Sequence, residues 1–150
     1  MLNWLKILCA VDFSETSRDA LEHAADLARR FEAELTLIHV RDVQRVAGSE
    51  IVPTEKLLEE EAHELGHKLE EWKTAAELIA GRPVRTLLES GAAAPEIVRA
   101  AAREAFDLVV TGTKARRGLG RVLLGSVAER VVREAPCPVL VARRTPDRGD

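Results

Sequence analysis

The stretch Leu108-Val109-Val110-Thr111-Gly112-Thr113-Lys114-Ala115-Arg116-Arg117-Gly118-Leu119-Gly120-Arg121-Val122-Leu123-Leu124-Gly125-Ser126 runs from a short apolar segment, through a glycine-rich loop, into a helix start. Leu108 to Thr111 is apolar until its last residue, which suits a buried strand. Thr111 to Gly125 holds Lys114, Arg116, Arg117 and Arg121 and no acid, although the chain carries a net charge of −3. Glycines let a backbone approach a ligand closely and aim N–H groups at it. The helix opened by Gly125-Ser126 favours an anion through its first N–H groups and its dipole, and Ser126 offers a hydroxyl donor. The loop therefore reads as a polyphosphate cradle; a solvated basic surface loop is the plainer alternative.

Working outward, the same strand-to-helix alternation fills the chain. Leu5 to Val11 is an apolar run broken only by Lys6 and ended by Asp12. Ser14-Glu15-Thr16-Ser17 then supplies helix-capping chemistry with an early acid, and Ala20, Ala24, Leu27 and Phe31 recur at helical spacing. Leu35 to Val40 reads as a second strand and Arg41 to Pro53 as a loop. Leu58, Ala62, Leu65, Leu69, Trp72, Ala76 and Ile79 mark one face of a helix over 54–80, stopped by Gly81 and Pro83. Val84 to Glu89 is the third strand and Gly91 its turn. Pro95 opens a helix with Ile97, Val98, Ala101 and Ala105 on its apolar face. A helix over 126–133 and a fifth strand, Val139 to Ala142, close the pattern, with 143–150 as a frayed tail. This order predicts a single α/β domain over 1–150, Rossmann-like, with a parallel sheet and helices on both faces. Ligands in such sheets bind beyond the strand carboxyl ends, where strand order reverses; Asp12, Val40, Gly91 and Gly112 are placed there.

Composition narrows the function. A net charge of −3 leaves no overall footprint for nucleic acid, and 3% aromatic residues leave little for base stacking. No run approaches a membrane span. Met1 to Val11 is interrupted by Lys6, so a strand is expected rather than a signal peptide, and the expected compartment is the cytoplasm. Cys9 and Cys137 read as small core residues. They are placed on either side of strand four, too far apart for a bridge of normal geometry.

Several motifs point elsewhere or are missing. No G-x-x-x-x-G-K-[ST] occurs and no G-x-G-x-x-G follows the first strand. His63-Glu64-Leu65-Gly66-His67 matches H-E-x-x-H. At about 100° per residue, however, both histidines lie opposite the Leu58–Leu65–Leu69–Trp72 stripe. The extended form of that motif needs a glycine and a third histidine where Glu70 and Lys73 stand. A solvent-facing pair with casual metal affinity is expected rather than a catalytic zinc site, a third ligand such as Glu89 remaining open. His39 reads as a satisfied structural histidine and His23 as solvent-facing. Asp12 reads equally as a cap for the next helix.

Five stretches together resemble the universal stress protein family: Lys6-Ile7-Leu8-Cys9-Ala10-Val11-Asp12-Phe13-Ser14, Leu37-Ile38-His39-Val40, the Gly91 turn, Gly112 to Ser126, and Ala135-Pro136-Cys137-Pro138-Val139-Leu140-Val141. The run Leu123-Leu124-Gly125-Ser126-Val127-Ala128-Glu129-Arg130-Val131 is especially specific. The resemblance implies sheet order 3-2-1-4-5 and a homodimer that pairs its last strands, here Val139 to Ala142. It also implies ATP binding, in those members that carry a G-x2-G-x9-G-[ST] loop. Ala10, Val11, Asp12 and Val40 match positions around adenine and ribose, and Gly112, Gly125, Ser126 and Val127 match phosphate-holding positions. Thr111, Thr113, Lys114, Ala115 and Arg116 complete the candidate set, with Mg²⁺ accompanying ATP. The departure is Ala115, where the pattern has glycine. A left-handed backbone there would cost alanine about 1–2 kcal/mol. The expected function is an ATP-binding stress-response or regulatory protein without a dedicated catalytic base. The alternatives are a dimeric module of the same fold that binds no nucleotide and acts through an unknown protein partner, and a slow ATPase.

Overall fold

The computed structural model describes residues 3–42, 54–115 and 122–143. Most of the expected 41–53 loop, the loop centre including Arg116, and the expected tail beyond residue 143 lie outside the described residues.

Strand β1 (Lys6–Ala10) leads to helix α1 (Glu15–Phe31) and strand β2 (Glu34–Arg41); helix α2 (Glu55–Ala80) and strand β3 (Val84–Ser90) follow. Helix α3 (Ala93–Arg103) and strand β4 (Leu108–Gly112) come next. A two-residue antiparallel ribbon, β5 (Lys114–Ala115) with β6 (Val122–Leu123), precedes helix α4 (Ser126–Glu134) and strand β7 (Val139–Ala142). The main sheet has five strands in the order β3-β2-β1-β4-β7, with every pairing parallel. This is the expected 3-2-1-4-5 order, β7 being its fifth strand. The ribbon was not anticipated: two residues a side are too few for a sequence period to reveal.

Alternation along β1 separates two cores. Ile7, Cys9 and Val11 pack with α1 and α2 residues such as Leu21, Ala25, Leu69 and Ala76. Leu8 and Ala10 face the other way, to Ile97, Ala101 and Val131 of α3 and α4. Strands buried on both faces read as continuous apolar runs, which explains why β1, β2 and β4 were legible. Burial drives the Cys9 thiol up to about 12, so it is an inert core group, and both cysteines are free thiols.

Two expected apolar faces shift. Phe31 is 40% exposed and meets Trp4 edge-on at 5.2 Å, while Leu21, Ala25 and Ala28 fill the core beside Ala20 and Ala24. Ala105 falls past the end of α3 with φ 51°, in the turn that re-aims the chain into β4, and Ala94 and Ala100 take up the buried face. At the lower edge of the sheet, Asp107 Oδ2 accepts hydrogen bonds from the N–H groups of Leu5 (3.0 Å) and Lys6 (2.9 Å). That carboxylate pins the start of β1 beside the start of β4.

The tightest packing is at the other end. A Cβ built on Gly112 would lie 2.5 Å from Thr16 O and 2.7 Å from Thr16 C. Those are backbone atoms, which no rotamer change can move. Gly112→Ala should therefore lose about 1–3 kcal/mol by overpacking, seen as a lower urea midpoint and a Tm reduced by several degrees. The same change at Gly66, in the interior of α2 with nothing within 4 Å of an added Cβ, should gain about 0.5–1 kcal/mol from reduced backbone entropy. Equal effects at the two sites would contradict this packing.

Candidate functional site

A cleft of about 610 Å³ opens at the carboxyl ends of β1, β2 and β4, a volume within the usual range of small-molecule sites. Its position follows from topology. From β1 the chain crosses through α1 toward β2, whereas from β4 it runs through α4 to β7 on the opposite side. Diverging crossovers leave a crevice between neighbouring strand ends.

The floor is Ala10, Val11 and Asp12, Ile38, His39 and Val40, and Thr111, Gly112 and Thr113. The first turns of three helices form the walls: Glu15, Thr16 and Ser17 of α1, Ala93 of α3, and Ser126, Val127 and Ala128 of α4. Helix α1 is capped internally, since Ser14 Oγ accepts from Ser17 N at 3.2 Å. Helices α3 and α4 begin at Ala92 and Gly125, which provide no side-chain cap. An uncapped first turn leaves N–H donors and the positive end of the dipole available to a ligand.

The two sides of the cleft differ in charge. Asp12 follows β1 and Asp42 follows β2, with Glu15 opening α1 between them and the end of β4, whereas Gly112, Thr113, Gly125, Ser126 and Val127, from β4 and α4, bring no acid. A ligand with hydrogen-bond donors at one end and negative charge at the other suits that polarity.

Asp12 serves the fold as well as the cleft. Its Oδ1 accepts hydrogen bonds from both the N–H and the hydroxyl of Ser14, and its own N–H donates to Ser17 Oγ at 3.2 Å. The helix cap is Ser14, with Asp12 buttressing it from two residues upstream. Partial burial pushes the Asp12 carboxyl up. The hydrogen bonds from Ser14, Ser17 and its own backbone outweigh that and hold it below the ordinary carboxylate value. Between Asp12 and the cap, Phe13 adopts a left-handed φ of 66°, a conformation that costs a non-glycine residue about 1–2 kcal/mol. Ring contacts offset it: Phe13 lies 4.6 Å from the His39 ring and meets Trp72 edge-on at 5.3 Å. His39 Nδ1 is in turn 2.8 Å from Val11 O, so this histidine is structurally satisfied while also lining the cleft.

Ala10, Val11, Asp12, Val40, Thr111, Gly112, Thr113, Gly125, Ser126 and Val127 of the candidate set thus converge on one cleft. Lys114 and Ala115 form β5, paired with Leu123 and Val122, and Arg116 lies outside the described residues. Ala115 pairs with Val122 as a strand residue, and strand positions take extended rather than left-handed backbone. The conformational penalty that alanine would incur there does not arise. Gly112 is in addition required by the fold itself, since it permits close approach of the α1 backbone.

Sequence reasoning passed over Thr16, Ser17, Ile38, Ala93, Ile97 and Ala128 as site residues. Only Ser14-Glu15-Thr16-Ser17, read as capping chemistry, carried a signal that could have found part of that wall. His63 and His67 do not line the cleft; both are exposed on α2. Glu89, left open as a third ligand, pairs with Arg103 at 3.3 Å, and no group of three potential metal ligands exists among the described residues. No helix among the described residues is long and apolar enough to cross a membrane.

The family model described as the universal stress protein family matches residues 3–143. A universal stress protein of Methanocaldococcus jannaschii is 39% identical over 150 residues, covering 93% of this chain and 82% of the relative. Among solved structures, universal stress protein UspA of Lactobacillus plantarum superposes with a TM-score of 0.78 at 26% identity, covering 94% of this chain and 99% of that one. A universal stress protein of Archaeoglobus fulgidus in complex with dAMP shares the fold, with a TM-score of 0.66 at 20% identity over 95% of this chain and 100% of that one.

The Asp12 geometry has a pH consequence. A carboxyl held below its unfolded value stabilises the fold fully above the unfolded value, ordinarily about 3.9, and loses that contribution as pH falls through the lower folded value. Wild-type stability should therefore drop from about pH 5 downward. In Asp12→Asn the dependence should be shallower over that range, measured by urea denaturation at stepped pH. Parallel curves for the two proteins would contradict the assignment.

Proposed function

The chain belongs to the universal stress protein family, and on that premise we propose that its cleft holds an adenine nucleotide, ATP with Mg²⁺, as a regulatory rather than a catalytic ligand. The observation that carries the reading is the polarity of the cleft. Asp12 and Asp42 stand at the ends of β1 and β2, and the uncapped first turn of α4, opened by Gly125 and Ser126, follows β4 with no acid among its lining residues. The ribose hydroxyls donate to Asp12. The base lies over Ala10, Val11 and Val40, whose apolar surface suits a flat ring. The phosphates meet the N–H groups after Gly125, the Ser126 hydroxyl and the loop that follows Gly112, with Thr111, Thr113, Lys114, Ala115 and Arg116 along that path. A helix N-terminus is a natural phosphate seat. Mg²⁺ commonly rides on substrate phosphates with few protein ligands; here the hydroxyls at that end, Ser126 first, are the groups suited to it. The dAMP complex of the Archaeoglobus fulgidus protein supports adenine as the base for this fold.

In this proposal residues 1–150 act as one nucleotide-binding domain in the cytoplasm, in a stress response. The protein is a homodimer through the last strand. Strand β7 pairs with β4 on one side, and among the described residues no strand pairs with its other edge. Val139, Leu140 and Val141 along it are only half-buried, and an open edge of this kind is satisfied by a two-fold copy.

Calorimetry with ATP and Mg²⁺ on the full chain tests the nucleotide reading. Wild type should bind in the micromolar range, and Ser126→Ala should bind about 3- to 10-fold more weakly for the loss of one hydrogen bond. Ala115→Gly should stay close to wild type, because a strand backbone gives glycine no advantage. Absence of wild-type binding would overturn the proposal. Sedimentation should give a species of twice the 16.5 kDa chain mass; a monomer at all concentrations would remove the dimer.

A further inference from the structure

We propose that the outer face of α2 carries a two-histidine site for a divalent transition metal, formed by His63 and His67 and separate from the cleft. The helix runs unbroken from Glu55 to Ala80, so residues four apart stand one above the other, about 5–6 Å between Cβ atoms. Two imidazoles at that spacing can close on one ion at about 2.0–2.1 Å from each nitrogen. Both histidines are exposed, and the side chain of His67 is 76% accessible. The inward face of the same helix is occupied by Leu69, Trp72 and Ala76, which pack into the core, so neither imidazole is spent on the fold.

The surrounding charge favours a cation. Glu59 and Glu71 extend the stripe by four residues on each side, and Glu71 Oε1 is 3.7 Å from His67 Nε2. The nearby lysines are drawn elsewhere: Lys68 Nζ stands over the Phe13 ring at 5.8 Å, and Lys73 Nζ meets Glu70 at 3.5 Å. Nitrogen donors select Zn²⁺, Ni²⁺ or Cu²⁺ over Mg²⁺ and Ca²⁺, which prefer oxygen. No group of three ligands exists among the described residues. A two-imidazole site of this kind leaves coordination positions open to water or to Glu71, and its binding is reversible rather than structural.

The site lies where α2 is least supported. The buried residues of the helix are Leu69, Ala76 and Ala80, all C-terminal to the pair. A metal clamping His63 to His67 binds the helical state and not the frayed one, and so holds this half of α2 in place by mass action. The Arg41–Glu61 ion pair, at 3.4 Å, joins the same segment to the end of β2.

The test titrates Zn²⁺ and Ni²⁺, one at a time, into the untagged full chain, with His63→Ala, His67→Ala and His23→Ala as variants. Hydrogen exchange is followed alongside calorimetry. Binding of one ion per chain is expected, weakened about tenfold or more in His63→Ala and His67→Ala and unchanged in His23→Ala. Amide exchange over 60–68 should slow with metal in wild type and His23→Ala only, and Mg²⁺ should have no effect there. Circular dichroism checks that the exposed substitutions leave the helix content intact. Equal affinity in wild type and both α2 variants would overturn the proposal, as would metal binding that leaves exchange over 60–68 unchanged. ATP binding is read separately, so failure here leaves the nucleotide proposal untouched.

Discussion

Everything at the carboxyl end of the sheet depends on the backbone of α1 lying directly against the end of β4. With Thr16 O 2.5 Å from where a Cβ of residue 112 would stand, the first turn of α1 and the strand terminus share a wall with no side chain between them. That contact brings the Asp12–Ser14–Ser17 hydrogen-bond network to the lip of the crevice and fixes its distance from the loop leaving β4. A side chain at position 112 would collide with that backbone, and the clash is relieved only by a shift of α1 or of the strand end.

A second constraint is the turn at Phe13. A left-handed residue is tolerated there because its ring is held between His39 and Trp72, one from β2 and one from α2. The His39 imidazole is itself anchored on the Val11 carbonyl. The strain is thus balanced by contacts drawn from three separate elements, and it directs the chain so that Asp12 faces the cleft while Ser14 caps the helix. The same cluster links the inner face of α2 to the floor of the site, while the outer face of α2 is left to solvent and its histidine pair.

Helix termini give the cleft most of its electrostatic character. Three helices point their first turns into it, and the two that lack a side-chain cap, α3 and α4, belong to the same face of the sheet. Fixed backbone donors of this kind need no reorganisation when an anion arrives. Asp12 and Asp42 stand at the ends of β1 and β2, so one crevice offers two chemically distinct ends without an unpartnered buried side-chain polar atom among the described residues.

The sequence by itself determined the alternation of strands and helices, the continuous apolar runs of β1, β2 and β4, the stops at Gly81 and Gly91, and the outward direction of His63 and His67. These follow from local period and turn chemistry, which act within a few residues of chain. Strand order and most of the site residues came through resemblance rather than through spacing. Only the tertiary structure decided that Gly112 makes room for α1 rather than for a ligand alone. It likewise decided that Ala115 sits in a ribbon strand with no left-handed demand, that Ala105 leaves the α3 face, and that Thr16, Ile38, Ala93 and Ala128 complete the cleft. Each of those is a meeting of backbone or side chains far apart in sequence, such as the 16–112 contact. No local pattern records how closely two distant segments will approach, because that distance is set by the packing of the whole sheet between its two helical layers.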